Sequence, residues 1–155
     1  MSTAAWRVEE IGARETLALR ALVLRPGWAP ADCLFDRDTA PGTFHLGARR
    51  DGDGEIIAIM TVMGDDVPGL PGRGAGPGWR IRGMASHPDA RGSGAAAALV
   101  RAGVGRVWRA RRDPVWCNAR RVAYGFYERL GFARLGAEFE IEGIGPHTVM
   151  VRDPD

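Results

Sequence analysis

The stretch Met84-Ala85-Ser86-His87-Pro88-Asp89-Ala90-Arg91-Gly92-Ser93-Gly94-Ala95-Ala96 constrains the fold more than any other part of the chain. An apolar segment runs into a turn marked by proline, and Arg-Gly-x-Gly then opens an alanine-rich run of high helix propensity. A strand feeding a glycine-rich helix start leaves several backbone N–H groups without intrahelical partners, all pointing one way. Together with the positive end of the helix dipole they form an anion site, typically for phosphate. Glycine is needed there so that phosphate oxygens approach the backbone without meeting a Cβ. Such a site suits a nucleotide-like cofactor.

With 155 residues the chain suits one domain, residues 1–155, large enough for a real core. No apolar run approaches the ~20 residues of a membrane span, and MSTAAWRVEE carries no signal-peptide pattern. The expected location is therefore the cytoplasm, with no membrane partner. Cys33 and Cys117 are too few for a disulfide framework or a zinc cluster, so no metal is expected. All 21 basic residues are arginines, which excludes a lysine Schiff base. A net charge of +2 is too small to argue for nucleic acid. Its distribution is uneven, however. Residues 101–134 hold nine arginines against Asp113 and Glu128, while residues 32–66 hold eight acids against Arg37, Arg49 and Arg50. Either solvated surfaces or a functional field produces such a split.

Taken in order, Trp6 to Ile11 alternates as a first strand, and Glu15 to Leu24 has helical spacing until Arg25-Pro26-Gly27 stops it. Thr43 to Arg49 and Glu55 to Met63 read as strands joined by the hairpin turn Asp51-Gly52-Asp53-Gly54. Residues 64–78 hold six glycines and three prolines, and are expected to be a long mobile loop. Trp79 to Ser86 is the next strand, followed by a helix from about Gly92 to Arg111. Val115 to Ala119 is a short strand, and Arg121 to Leu130 is a helix ended by Gly131. Phe132 to Leu135, Phe139 to Ile141 and Thr148 to Arg152 supply the last strands. The order β-α-β-β-β-α-β-α-β-β predicts an α/β or α+β domain with a mixed sheet.

Two of these stretches together resemble a known family. Arg91-Gly92-Ser93-Gly94-Ala95-Ala96 is similar to the Gln/Arg-x-x-Gly-x-Gly/Ala signature of the GCN5-related N-acetyltransferase (GNAT) superfamily. Phe126-Tyr127-Glu128-Arg129-Leu130-Gly131-Phe132 is similar to that family's second motif, a helix ending in FYEKLGF. A lone glycine-rich turn would be weak, but two motifs in order make a specific match. The resemblance runs from the first helix to the last strand. It is closest to a bacterial subset through Leu19–Gly27, Arg82–Ala85, Trp116–Arg120 and Gly136–Met150.

The resemblance implies a mixed, mostly antiparallel sheet of six to seven strands, splayed between the fourth and fifth and flanked by helices. It implies acetyl-coenzyme A as donor. The cofactor arm would pair with the backbone of Met84, Ala85 and Ser86, and the pyrophosphate would sit on Arg91, Gly92, Ser93, Gly94, Ala95 and Ala96. A bulge in the first of these strands would aim an N–H at the thioester oxygen. Asn118 and Arg120 fall where the family contacts the cofactor arm. Asparagine is more usual at the position of Arg120, which leaves Arg120 to the cofactor or to an acidic acceptor. Homodimers are frequent in the family.

Acetyl transfer to an amine needs a neutral amine, a polarised carbonyl and a proton for the departing sulfur. Tyr127 matches the family tyrosine beside that sulfur, and it either donates the proton or only packs against the cofactor. For the base, Glu138, Glu142 and His147 come from strands that flank the acceptor pocket in the family. Partial burial beside Phe139 is expected to raise the pKa of Glu138. His147 is a histidine entering the final strand, a residue type that titrates in the useful range. Water relays are the alternative to both. Cys117 is a further option, as an acyl-accepting nucleophile. His87 is expected to be exposed, His45 to be core, and Trp79, Trp108 and Trp116 to be packing. Asp36 and Asp38 lie in the loop that covers the acceptor side of this fold and are expected to attract a cationic amine.

The resulting expectation is a direct N-acetyltransferase acting on a primary amine of a small molecule or a peptide N-terminus. A non-catalytic coenzyme A-binding module is the alternative. A nucleotide-binding P-loop fails, because it requires Gly-Lys-Ser/Thr and the chain has no lysine.

Overall fold

The order of elements read from the sequence is present in a computed structural model that describes residues 5–155. β1 (Trp6–Ile11), β2 (Phe44–Arg50), β3 (Ile56–Gly64), β4 (Trp79–Ser86), β5 (Val115–Arg120), β6 (Ala133–Ile141) and β7 (Gly145–Arg152) form one seven-stranded sheet. Its spatial order is β1-β2-β3-β4-β5-β7-β6. β4 and β5 are parallel, with Trp79 opposite Val115 and Arg80 opposite Trp116. The pairs β1–β2, β2–β3, β5–β7 and β6–β7 are antiparallel. α1 (Leu17–Leu19), α2 (Ala95–Ala110) and α3 (Tyr124–Arg129) complete the mixed α/β fold. Among the described residues, no helix is long and apolar enough to cross a membrane. The chain divides into two compact units: the described residues through Met63 with Arg82–Gly103, and Gly64–Ile81 with Val104–Asp155.

In the first unit, residues 57–63 of β3 are buried on both faces. α2 packs closely on that strand, because a Cβ at Gly103 would lie 2.5 Å from Met60 Cε. The expected helix over Glu15–Leu24 is instead a composite. A 3-10 turn at Ala13–Thr16 leads into α1, and a π turn follows at Arg20–Leu24. Leu19 buries with Ile11, Ile59 and Ala85, while the π turn begins at Arg20, a fully buried arginine.

Arg20 is held by a dense set of partners. Its Nη1 and Nη2 donate to the two Asp38 carboxylate oxygens at 2.6 and 3.0 Å. Nη1 also donates to the Cys33 carbonyl at 3.0 Å, and Nη2 to Thr61 Oγ1 at 2.8 Å. The guanidinium carbon lies 3.7 Å from the centre of the Phe35 ring. His45 closes the network, as expected of a core histidine. Its Nε2 donates to the Asp38 carbonyl at 2.9 Å, leaving Nδ1 to accept from the Thr61 hydroxyl at 2.7 Å. Burial by itself would raise the Asp38 pKa. Hydrogen bonds from Arg20 and from the Phe35 N–H outweigh it and leave the carboxyl below its ordinary 3.8.

The same network meets β4. Gly83 has φ +64°, and a Cβ there would come within 2.8 Å of the Phe35 ring and 3.3 Å of Arg20 Nε. Left-handed backbone inside a strand is the geometry of a glycine bulge. Arg82 lies over the Phe35 ring at 4.2 Å.

In the second unit, the glycine- and proline-rich segment 64–78 is not the mobile loop expected. Val67 bridges to Gly76 and Leu70 to Arg73, forming a hairpin. Val67 buries with Trp116, Val149 and Val151. Trp116 Nε1 donates to the Asp65 carbonyl at 2.8 Å, and Arg73 grips Asp153 with two bonds of 2.7 and 2.8 Å. Two apolar anchors and one forked ion pair suffice to order a segment whose backbone alone would be loose. The last expected strands, at 132–135 and 139–141, are one strand, β6, with an irregular register between Leu135 and Phe139. Gly136 sits in that irregularity, with Leu70 of the hairpin packed 3.3 Å from where its Cβ would be.

Removing one member of a buried pair leaves an uncompensated charge. Asp38→Ala is therefore expected to destabilise the fold by about 3–5 kcal/mol, read by urea denaturation at pH 7. Because folding lowers the Asp38 pKa, its stabilisation is fully present above the unfolded value and is lost as pH falls through the lower folded one. The loss caused by Asp38→Ala should therefore shrink as the denaturation series is carried into acid. An Arg20→Met/Asp38→Leu double variant should be less destabilised than Asp38→Ala alone.

Candidate active site

The turn that opened the sequence argument lies in the first unit. The His87 N–H donates to the Ile57 carbonyl at 2.8 Å, tying the turn to β3, and Pro88–Ala90 form a 3-10 turn. His87 is part-exposed, and its Nδ1 accepts from the Asp89 N–H at 3.1 Å. Three of the expected anion donors have internal acceptors, the Arg91 N–H donating to the Pro88 carbonyl at 3.5 Å. The Ser93 N–H donates to the Ala90 carbonyl at 3.1 Å and the Ala95 N–H to Ser93 Oγ at 3.3 Å. Gly92 and Gly94 differ. Their φ angles are +81° and +84°, both are exposed, and no heavy atom lies within 4 Å of where a Cβ would be. Open space over two left-handed glycines at a helix start is what close approach of a phosphate requires. Arg91 is exposed beside them, and β4 reaches the turn through Met84, buried Ala85 and Ser86.

In the second unit, register and alternation divide the candidate residues between two sheet faces. Opposite each other on β5 and β7 stand Cys117 and Met150, and Ala119 and Thr148. α3 packs on this face, since the Tyr124 hydroxyl lies 2.5 Å from Thr148 Oγ1 and Tyr127 hydrogen-bonds Cys117. Tyr127 is buried, with its ring edge-on to Phe126 and Phe132 at 5.0 and 5.4 Å. Burial foremost, then neighbouring Cys117, holds its hydroxyl well above the ordinary 10.0. Burial also pushes the Cys117 thiol up to about 12, against the opposing effects of the Tyr127 hydrogen bond and the Arg80 charge. Both groups keep their protons at neutral pH. A thiol held protonated is a poor nucleophile, so the acyl-accepting option for Cys117 falls away.

Glu138 belongs to this same face, and its expected environment is corrected. It is exposed, not half-buried. Arg121 donates to it twice, at 2.5 and 3.1 Å, and the Tyr124 hydroxyl once, at 2.9 Å. These bonds, Arg121 first, pull its carboxyl down to about 2 instead of raising it. A carboxylate that acidic is a weak base. Glu142 lies exposed in the turn between β6 and β7.

Asn118, Arg120 and His147 occupy the opposite face. Arg120 is opposite His147, and Asn118 opposite Val149. His147 is buried, and its Nδ1 lies 2.8 Å from the Gly145 carbonyl. A carbonyl only accepts, so Nδ1 carries the proton and Nε2 presents a lone pair. The expectation that Asp38 draws a cationic amine is overturned, because Arg20 occupies both of its oxygens and it is 4% exposed. Asp36 remains exposed. Sequence reasoning missed Tyr124, Arg121 and Phe139. Tyr124 was within reach, since it lies three residues before Tyr127 and shares its helix face.

Comparisons with known proteins bear on the family and the fold. Residues 42–153 match the family model described as the acetyltransferase (GNAT) domain. The uncharacterized N-acetyltransferase YitI of Bacillus subtilis is 34% identical over 145 residues, covering 94% of each chain. The fold is similar to that of Escherichia coli ElaA, with TM-score 0.74 at 17% identity over 96% of this chain and 99% of that one. It is also similar to that of Arabidopsis thaliana NAA60, crystallised with acetyl-CoA, with TM-score 0.72 at 14% identity over 96% and 98%. With a family model over most of its length and a relative matched nearly end to end, this chain belongs to the GNAT acetyltransferases.

Proposed function

We propose that this chain is a single-domain cytoplasmic enzyme that transfers an acetyl group from acetyl-coenzyme A directly to a primary amine, on a small molecule or a peptide N-terminus. The observation that carries this reading is the open turn at Gly92 and Gly94, leading into α2 in a chain of this family. The similar NAA60 fold, crystallised with acetyl-CoA, supports the choice of donor. When bound, acetyl-coenzyme A supplies an acetyl group activated as a thioester.

The residues divide the work. The Gly92 and Gly94 N–H groups, with the first turn of α2, receive the pyrophosphate, and Arg91 adds a positive charge. Met84, Ala85 and Ser86 offer backbone pairing to the arm, and Asn118 a side-chain amide. Gly83, in the left-handed region at φ +64°, stands just before Met84, where a bulge would aim an N–H at the acetyl carbonyl.

His147 accepts at Nε2 the proton that the amine gives up as the new N–C bond forms. Tyr127 donates its own proton to the sulfur as the C–S bond breaks. Proton count and charge then balance. Tyr127 is a weak acid in its buried setting, but the same setting raises Cys117 to about 12. A sulfur leaving in such surroundings is correspondingly basic and able to take the proton. Glu138 holds Arg121 and Tyr124 and takes no proton in this scheme.

Tyr127→Phe is expected to lower kcat by about 10²–10⁴-fold, with the acetyl-coenzyme A dissociation constant nearly unchanged. Thiol release at saturating substrates and calorimetric titration read the two quantities. Full turnover in the variant would remove Tyr127 from the chemistry. Binding of acetyl-coenzyme A without thiol release on any amine would favour the non-catalytic module.

The pH profile tests the base. A base must be unprotonated, so kcat/KM should rise with pH along an acid-side limb. Glu138→Gln should keep that limb, because a carboxyl titrating near 2 is already ionised throughout the assay range. His147→Gln should abolish it. A limb lost only in Glu138→Gln would reverse the assignment.

A further inference from the structure

Strand register in the second unit brings three chemically distinct side chains into one row. Arg120 of β5 stands opposite His147 of β7, and His147 stands opposite Phe139 of β6. Directly opposed residues have Cβ atoms about 4.5–5.5 Å apart. The Phe139 and His147 rings are stacked, with centroids 6.0 Å and planes 27° apart. His147 is buried, whereas Phe139 is 36% exposed and Arg120 is exposed at its strand end. A cation, an imidazole with a fixed tautomer and an open aromatic ring thus adjoin across three strands.

The charges nearby sharpen the meaning of this row. Arg121, one residue on, is bound by Glu138, and Arg73 is bound by Asp153. Among the described residues, no carboxylate pairs with Arg120. On the sequence alone, Asp36 and Asp38 were expected to draw a cationic acceptor; Asp38 is locked onto Arg20, and Asp36 stays exposed. Glu138, the other candidate anion, belongs to the opposite sheet face. The His147 face therefore presents a cation to an incoming acceptor.

We infer that the acceptor carries a carboxylate beside its amine: Arg120 holds the carboxylate, Phe139 covers the adjoining apolar or aromatic group, and His147 Nε2 faces the amine. The ligand class is an amino acid or a close analogue. Guanidinium suits the task because its planar fork pairs with both carboxylate oxygens at once, a geometry that an ammonium group lacks. This inference rests on the transferase reading above and assigns Arg120 to the acceptor, not to the cofactor arm.

Matched acceptors that differ only in the carboxylate test it: phenylalanine against phenethylamine, tyrosine against tyramine, and leucine against isoamylamine. Thiol release is followed with acetyl-coenzyme A saturating. The carboxylated member of each pair should win by on the order of tenfold to a hundredfold in kcat/KM, the range for losing one hydrogen-bonded charge contact. R120Q should collapse that preference through KM, and R120K should restore part of it. F139A should raise KM for phenylalanine more than for alanine. Circular dichroism and thermal melting confirm that each variant is folded. Equal or greater activity on the decarboxylated amines overturns the inference while leaving the transferase reading standing. So does R120Q weakening acetyl-coenzyme A binding while keeping the preference. No thiol release from any acceptor overturns the transferase reading, and this inference with it.

Discussion

The buried ion pair between Arg20 and Asp38 is the interaction around which the first unit is arranged. Burying a guanidinium and a carboxylate costs several kcal/mol per ion unless geometry and further hydrogen bonds offset it. Here the offset is supplied in full view: two bonds between the charges, one from Arg20 to the Cys33 carbonyl, one to Thr61, and one from the Phe35 N–H to Asp38. Thr61 belongs to β3, while Cys33, Phe35 and Asp38 come from one stretch, so these bonds fix the segment around residues 33–38 against β3. The flat guanidinium also makes a platform for Phe35, and Phe35 in turn requires a glycine at position 83 of β4. The left-handed glycine just before Met84 is thus required by the aromatic ring that the ion pair carries.

The second unit uses environment differently. Its α3 face holds titratable groups whose surroundings push them apart. On the α3 face, a desolvated tyrosine and thiol retain their protons, while an exposed glutamate is held ionised by hydrogen bonds donated by an arginine and a tyrosine hydroxyl. On the other face, the Gly145 carbonyl fixes which nitrogen of His147 carries the proton. Groups kept in opposite protonation states are the ordinary mark of acid and base roles.

What was legible in the sequence was local. Alternation marked β1 to β4, glycine and alanine marked the turn into α2, and Phe126–Phe132 marked α3 and the strand after it. Each signal occupies a dozen residues or fewer and depends on nothing distant. What was illegible depends on partners far along the chain. Asp38 meets an arginine 18 residues away, and Glu138 meets one 17 residues away. Neither pair lies within one helix or strand, so no periodicity links its members. The hairpin over 64–78 was hidden for a related reason. Its glycines and prolines suppress periodicity, and only Val67 and Leu70 reveal that it packs, through contacts with Trp116, Leu135 and Gly136.

Charge runs in a sequence say little about the field that a folded protein presents. The acidic stretch 32–66 looked like an attractor for cations, yet Asp38 pairs with Arg20, Asp51 with Arg7, Asp53 with Arg50 and Asp65 with Arg80. The arginine-rich stretch 101–134 is neutralised or stacked in the same way: Arg121 on Glu138, Arg134 on Glu128, Arg111 over Trp79 and Arg112 over Trp108. Where acids and arginines meet at close range they cancel beyond a Debye length of about 8–10 Å. What then matters for a small ligand is the single charge left without an internal partner next to reactive groups. On the His147 face, among the described residues, that charge is Arg120, whose sign is that of the arginine-rich stretch 101–134 around it.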